Sequence, residues 1–210
     1  MARPALLQHA ARWLRSRVER RGESDGLLQP AQTWEAQYAA GRWDFLGETS
    51  ELARFSILAG YIGHLKRGGA VLDVGCGQGF LLRRLPDSYY SRYVGIDLSD
   101  SAIAVARQQQ NPGNTFLTAD CEHYSPVERF DVIVFNEVVI CLHDPLRTVE
   151  RYVSFLNSGG LLLVSVCTAA RGSATILRQL KRAYASVDEV HVAHTGRRVS
   201  WVCTALRLRQ

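Results

Sequence analysis

The first third of the chain has apolar residues at a helical spacing. An apolar position recurs every three or four residues over 4–21, which predicts an amphipathic helix with an arginine-rich opposite face. A second run of this kind predicts a helix over about 50–66. The inward-facing residues of this second helix are expected to be Leu52, Phe55, Leu58, Ile62 and Leu65. Between the two runs lies an aromatic segment that contains Trp34, Tyr38, Trp43 and Phe45.

From residue 70 the pattern changes to short apolar runs that alternate with helical segments. The predicted strands span 70–74, 93–96, 115–117, 132–135 and 161–166, and a terminal hairpin pairs 187–193 with 199–206. The predicted helices span 79–86, 101–110 and 173–185, and another begins at Asp144-Pro145, a capping residue before a proline. Alternating strands and helices predict a three-layer α/β fold with a mostly parallel sheet and an antiparallel edge.

Composition excludes several classes of protein. Of the 210 residues, 47% are hydrophobic and 21% are charged, which excludes extensive disorder. No apolar run approaches the ~20 residues that span a bilayer. The five cysteines form no CxxC pair, so we expect reduced thiols and neither disulfides nor a zinc site. The chain starts with an arginine-rich segment in place of an apolar signal core, which predicts a cytoplasmic location.

The net charge of +5 is distributed unevenly along the chain. Residues 1–25 carry six arginines against three acids, and residues 171–210 carry eight basic residues against two acids. The remaining middle has 11 basic and 15 acidic residues and is therefore mildly acidic. The basic helix over 4–21 either packs on its own domain or associates weakly with an anionic membrane surface.

The strongest chemical signal is the segment VLDVGCGQGF at 71–80. A predicted buried strand runs into a turn with glycines at alternate positions, which lets a ligand lie against bare main chain. These glycines are Gly75, Gly77 and Gly79. The next strand ends at Asp97, where a carboxylate typically accepts hydrogen bonds from ribose hydroxyls. A dinucleotide motif requires glycine where Phe80 stands, so the spacing favours a cofactor without phosphate, whose amino-acid part faces Asp73.

Residues 70–167 resemble the class I S-adenosylmethionine-dependent methyltransferases. The glycine segment is similar to that family's first motif, and the sequence GIDLS at 95–99 resembles its ribose-binding strand end. The sequence TADC at 118–121 resembles the segment whose acid meets the adenine amino group. Residues 130–137 resemble the motif beside the methionine part of the cofactor. The resemblance implies S-adenosylmethionine as cofactor, S-adenosylhomocysteine as product, and the sheet order 3-2-1-4-5-7-6.

The resemblance also implies which residues bind the cofactor. They are Trp34, Tyr38, Trp43, Asp73, Gly75, Cys76, Gly77, Gly79, Phe80, Asp97, Leu98, Ser99, Asp120, Cys121, Glu122, Asn136 and Glu137. Residues 1–66 would form a helical cap or lid, and residues 67–210 the cofactor-binding core. An aromatic lid residue can cover a sulfonium by cation–π attraction, although core packing explains Trp34 and Trp43 equally well.

Methyl transfer from a sulfonium is an in-line displacement, so the protein mainly positions the reactants and excludes water. A base is required only when the acceptor is protonated. The catalytic candidates are His143, Tyr38 and Glu137. His143 titrates near neutrality and follows the fourth strand, but it also fits a helix-start residue bonded to main chain. Glu137 either contacts an acceptor amine or caps local main chain.

The expected acceptor is a small molecule that is methylated on nitrogen or oxygen. Residues 136–139 read N-E-V-V and lack the proline pair typical of enzymes that methylate amino groups of DNA bases. A nucleic-acid acceptor is therefore disfavoured. The magnesium-binding carboxylates of catechol methyltransferases are also missing from this region, so no metal is expected. The lid and fourth motif are similar to amino-sugar and natural-product methyltransferases. Two alternatives stay open: an RNA methyltransferase with steeply salt-dependent binding, and a non-catalytic cofactor-binding or scaffold protein.

Overall fold

The structure is a computed structural model, and it describes residues 28–209. The helix predicted over 4–21, together with its suggested membrane contact, lies outside the described residues. The first helix, α1, spans Ala31–Ala39 within the aromatic segment and has no counterpart in the sequence prediction. A 3-10 turn at Asp44–Gly47 leads to α2, Thr49–Leu65, which confirms the helix predicted over about 50–66.

Within residues 28–209 the strands form one seven-stranded sheet in the order β3-β2-β1-β4-β5-β7-β6. The strands are β1 (Gly69–Val74), β2 (Tyr90–Asp97), β3 (Asn114–Thr118), β4 (Phe130–Asn136), β5 (Leu156–Cys167), β6 (Ala185–His194) and β7 (Val199–Arg207). The first five pair in parallel, whereas β7 pairs antiparallel with both β5 and β6. The predicted α/β class, strand order and terminal hairpin are confirmed.

Helices connect the strands on both faces of the sheet. They are α3 (Asp100–Ala106), α4 (Pro145–Val153) and α5 (Ser173–Ala183). The Ser99 hydroxyl caps α3 by accepting the main-chain N–H of Ala102 at 3.1 Å. Asp144 caps α4 by accepting the N–H of Arg147 at 3.1 Å, ahead of Pro145 in the first turn as predicted.

The helix predicted over 79–86 is wrong, because the structure has turns there and one short 3-10 segment, Leu82–Arg84. Gly79 has a φ of +76°, outside the helical range, so a helix can begin only after it. At the other end, Pro86 disfavours helical geometry at Leu85, which is extended with ψ at 113°. Too few residues lie between these two limits to form a stable α-helix.

Two apolar layers cover the sheet and position its edge. On one face, Phe55, Leu58 and Ile62 of α2 pack on the strands, each at most 4% exposed. On the other face, α4 and α5 bury a second cluster. The predicted inner face of α2 needs a correction at its start, because Leu52 is only half-buried. Its neighbours Glu51 and Arg54 are buried instead, each 2% exposed.

The five cysteines, all within the described residues, are free thiols, in agreement with the prediction. None of the helices within residues 28–209 is long and apolar enough to cross a membrane.

Candidate active site

A cavity of 390 Å³ opens at the carboxyl ends of β1, β2 and β4. The turn after β1 forms its floor, and α1 with the aromatic residues that follow forms its roof. Its far end lies against α2 and the start of β7. In open parallel sheets, ligands bind at this edge, where the strand order reverses. The cavity therefore lies where the glycine motif predicts a ligand.

Gly75 and Gly77 leave the floor of the cavity without side chains. Both have positive φ angles, +68° and +53°. A Cβ at Gly75 would lie 2.3 Å from Val138 Cγ2, and a Cβ at Gly77 would lie 2.8 Å from the Tyr38 hydroxyl oxygen. Because both backbone geometry and space exclude a side chain, the turn forms a cradle in which a ligand can contact main chain directly.

Two buried carboxylates stand behind this cradle. Asp97 accepts the main-chain N–H of Gly77 at 2.9 Å and that of Ser99 at 3.0 Å, and burial raises the pKa of Asp97 to about 6. Asp73 Oδ2 accepts the Tyr93 hydroxyl at 2.5 Å, whereas Oδ1 has no partner within residues 28–209. Burial raises the pKa of Asp73 to about 7. A cationic group beside Asp73 would satisfy Oδ1 and favour the ionised carboxylate, so the site fits the ammonium of an amino-acid moiety.

The next side of the cavity follows β3. Asp120 accepts the main-chain N–H of Glu122 at 2.8 Å and contacts His123 Nδ1 at 2.8 Å. Glu122 accepts the main-chain N–H of His143 at 3.0 Å, and its other oxygen lies 2.6 Å from His143 Nδ1. The hydrogen bond to Glu122 raises the pKa of His143. Because the His143 side chain is 75% exposed, this histidine lies at the rim of the cavity.

The aromatic roof is one packed cluster. The ring centroid of Trp43 lies 5.6 Å from that of Trp34 and 5.9 Å from that of Tyr38. All three side chains also line the cavity, so they pack against one another and are in position to contact a bound ligand. Burial raises the pKa of Tyr38, and its hydroxyl therefore stays protonated and cannot act as a base near neutral pH.

Polar contacts attach the roof to the core. The Glu35 carboxylate of α1 accepts hydrogen bonds from the hydroxyls of Ser99 and Ser101 at the start of α3. Gln78, in the glycine turn, donates its side-chain amide to Asp44 at 2.9 Å. These contacts connect the roof to the glycine turn and to the start of α3.

The far end of the cavity begins at the carboxyl end of β4. Glu137 has a φ of +65°, a strained geometry for a residue with a side chain. Its carboxylate accepts the main-chain N–H of Cys167 at 3.0 Å and the Ser165 hydroxyl at 3.2 Å. Burial raises the pKa of Glu137, and the nearby Arg54 opposes this effect. The structure therefore holds a carboxylate in a fixed place beside the cavity.

Sequence reasoning missed the charged residues that complete this end. Arg54 donates to Asn136 Oδ1, and its other terminal nitrogen lies 3.0 Å from Glu51. Arg197, in the turn between β6 and β7, pairs with Glu51 at 3.3 Å and with Glu48 at 2.7 Å. One signal for them was present in the sequence. Glu51 and Arg54 are three residues apart on the side of α2 that is otherwise apolar, and charged residues on a buried side must be paired.

Most of the residues predicted to bind the cofactor come together around the cavity. Those that line it are Trp34, Tyr38, Trp43, Asp73, Gly75, Cys76, Gly77, Phe80, Asp97, Leu98, Asp120, Cys121, Glu122, Asn136 and Glu137, together with His143. Gly79 and Ser99 lie behind the wall. Gly79 packs toward Gln109 and Phe116, and Ser99 caps α3.

Known proteins share both the sequence pattern and the fold. The chain is 34% identical over 100 residues to trans-aconitate 2-methyltransferase of Rhodopseudomonas palustris (strain BisB18). This alignment covers 46% of this chain and 38% of that relative. It is also 32% identical over 126 residues to ubiquinone biosynthesis O-methyltransferase of Bradyrhizobium sp. (strain ORS 278). That alignment covers 55% of this chain and 49% of the relative. The matched part thus spans less than half the length of these curated relatives.

A solved structure matches over a larger part of the chain. N-methyltransferase NodS from Bradyrhizobium japonicum WM9, in complex with S-adenosyl-L-homocysteine, superposes with a TM-score of 0.73. The match covers 86% of this chain and 98% of NodS at 22% sequence identity, and at that identity it shows a shared fold. A family profile described as "Methyltransferase domain" matches residues 36–204. The chain belongs to this methyltransferase domain family.

Proposed function

We propose that the protein transfers the methyl group of S-adenosylmethionine to a nitrogen or oxygen of a small-molecule acceptor. The observation that carries this proposal is the glycine cradle with Asp73 Oδ1 unpartnered and Asp97 behind it, in a chain of the methyltransferase domain family. The cofactor is S-adenosylmethionine, and the product is S-adenosylhomocysteine. NodS, whose fold this chain shares, was crystallised with S-adenosyl-L-homocysteine.

The residues around the cradle each have a part in binding. Asp73 holds the ammonium of the methionine moiety, and Asp97 accepts the ribose hydroxyls with the lone pairs that its main-chain bonds leave over. Asp120, Cys121 and Glu122 lie where the adenine would bind. Most of the work is positioning, for which well-oriented reactants reach effective molarities of ~10⁵–10⁸ M.

When bound, the cofactor supplies a methyl group activated by a sulfonium. The aromatic roof of Trp34, Tyr38 and Trp43 covers this positive charge and excludes water. The protonated Tyr38 hydroxyl acts there as a hydrogen-bond donor. Glu137 and Asn136 face the acceptor from the end of β4, and His143 at the rim is the second candidate for proton transfer.

The experiment uses methyl-labelled S-adenosylmethionine and a cell extract, with and without nuclease and protease pretreatment. We expect label in the small-molecule fraction, unaffected by either pretreatment. Label lost with nuclease would favour the RNA alternative and would give the basic termini a function. No transfer at all, with cofactor binding intact by calorimetry, would favour a non-catalytic binding protein.

Three further expectations belong to this proposal. Residues 1–66 act as the helical cap or lid, and residues 67–210 act as the cofactor-binding core. The reaction needs no metal. The protein acts in the cytoplasm, where its thiols stay reduced.

A further inference from the structure

The charge of the cavity is opposite to that of the whole chain. Within residues 28–209, six carboxylate side chains and one arginine line the cavity, whereas the chain carries a net charge of +5. The six carboxylates are Glu51, Asp73, Asp97, Asp120, Glu122 and Glu137. S-adenosylmethionine brings one net positive charge, since its ammonium and carboxylate cancel and its sulfonium remains. The occupied cavity is therefore still acidic, and it attracts a cation more strongly than an anion.

The arginine at the far end is already committed to protein partners. Its two terminal nitrogens donate to Asn136 and Glu51, whereas Nε is buried and has no hydrogen-bond partner within residues 28–209. The Arg54 guanidinium also lies over the rings of Phe55 and Trp201, at 4.6 and 5.5 Å from their centroids. An anionic acceptor would have to displace one of these contacts, so Arg54 does not provide a ready anion site.

Glu137 is in the opposite situation. It lines the cavity and, within the part of the chain that the structure describes, it has no ion-pair partner. One oxygen accepts the main-chain N–H of Cys167 at 3.0 Å, which stabilises an ionised carboxylate. The other lies 3.2 Å from the Ser165 hydroxyl, whose proton is shared with Asn136 Oδ1 at 2.6 Å. Trp201 and Phe45 also line the cavity, and aromatic rings attract cations. An ammonium ion is the group that these neighbours accommodate best.

We infer that the acceptor is an amine that enters as its ammonium ion, and that Glu137 binds this ion and takes its proton. The inference rests on the proposed function and names its substrate class. The ammonium proton passes to a Glu137 carboxylate oxygen, and the freed nitrogen lone pair forms the new bond to the methyl carbon. The electron pair of the broken carbon–sulfur bond stays on sulfur. The products are a methylated ammonium ion, the thioether and one proton, which Glu137 releases to water.

The environment of Glu137 is suited to this exchange of a proton. The groups that face its carboxylate are Arg54 and Glu51 of α2, Ser165 and Cys167 of β5, and Cys203 of β7. Burial raises the pKa of Glu137, while Arg54 and the two β5 donors favour its ionised form. A base with its pKa raised toward neutrality transfers protons efficiently in both directions.

The test identifies the chemical class of the product from the NMR signal of the transferred methyl carbon. The wild-type protein is incubated with ¹³C-methyl S-adenosylmethionine and the small-molecule fraction of an extract, and the labelled methyl carbon is followed by NMR across a pH titration. We expect a signal that survives alkali and moves when the attached amine titrates. Labelled methanol after alkali would reveal an ester, and a signal insensitive to pH would reveal an ether; either result overturns the inference while leaving methyl transfer established. Absence of transfer would contradict the proposed function itself, and this inference with it.

Substitution of the base then tests its role with the identified amine. Glu137→Gln keeps the side-chain shape and should lower kcat/KM by about 10²–10⁴-fold, with cofactor affinity unchanged. The acid limb of the wild-type pH profile should disappear in this variant. Glu128→Gln, at a carboxylate on the surface near Arg92, is the matched control and should change neither quantity. Equal rates and pH profiles in the two variants would overturn the role of Glu137.

Discussion

The two ends of the cavity are held together by different kinds of contact. At the cofactor end, Asp97 is satisfied by main-chain N–H groups of the adjacent turn and of Ser99. At the far end of the cavity, where we propose that the acceptor binds and which we call the acceptor end, charged side chains of α2 and of the β6–β7 turn pair with one another, as Glu51 does with Arg197. The first arrangement needs little beyond a strand, a glycine turn and the next strand. The second needs the complete fold, so substitutions there should affect stability as well as catalysis.

The largest effect is expected at the acceptor end. Arg54→Met should reduce the free energy of unfolding by about 3–5 kcal/mol, because it leaves Glu51 buried with one cation fewer and removes one of the two donors to Asn136 Oδ1. Urea denaturation of the variant and the parent measures this loss. The matched control is Arg84→Met, at an exposed arginine, where we expect at most about 0.5 kcal/mol. Equal losses in the two variants would remove the distinction between the two ends.

A substitution at the cofactor end should mainly lower the affinity for S-adenosylmethionine. Asp97→Ala removes an acceptor of charged hydrogen bonds and should weaken binding of S-adenosylmethionine by about 2–3 kcal/mol, or ~30–160-fold. Isothermal calorimetry measures the change, with Asp87→Ala at an exposed aspartate as the control. An unchanged affinity would contradict the placement of the cofactor beside Asp97.

A pH titration sharpens the comparison further. Asp73 must be ionised to pair with the methionine ammonium, and burial raises its pKa to about 7. Cofactor affinity should therefore fall by up to about tenfold for each pH unit below 7 and should level off above it. Calorimetry between pH 5 and 8, values chosen to bracket this pKa, measures the slope. In Asp73→Asn the slope should be lost above about pH 6, the pKa of Asp97, and its persistence there would assign the titration to another group.

The smallest effect is expected at the rim. His143→Ala should lower turnover by less than about threefold, because this exposed histidine contacts Glu122 in high dielectric. Turnover and cofactor affinity are measured across pH 6–9, a range around the ordinary histidine pKa. A much larger loss of turnover, with affinity intact, would transfer the acid–base role from Glu137 to His143.

Local patterns in the sequence predicted the α/β class, and most of the residues predicted around the glycine turn line one cavity. The apolar runs and capping residues located every strand and most helices, and the failure at 79–86 has a local cause in Gly79 and Pro86. The prediction of α2 was correct in extent, but its inner face was misjudged at Glu51 and Arg54. Charged residues are normally exposed, so their burial cannot be read from the helix alone.

The sequence by itself determined the strands, the glycine cradle and the acids at the strand ends, because each depends on a local pattern of residues. The strand order came from the resemblance to a known family, since it depends on pairs as distant as Val71 and Val132. Only the tertiary structure decided which charges meet at the acceptor end. Arg54 contacts a residue 82 positions away, and Arg197 one 146 positions away. Such contacts exist because α2 packs on the terminal hairpin, and the spacing of Glu51 and Arg54 on α2 does not show which distant residues they meet. The acceptor end of this cavity is therefore a property of the assembled sheet.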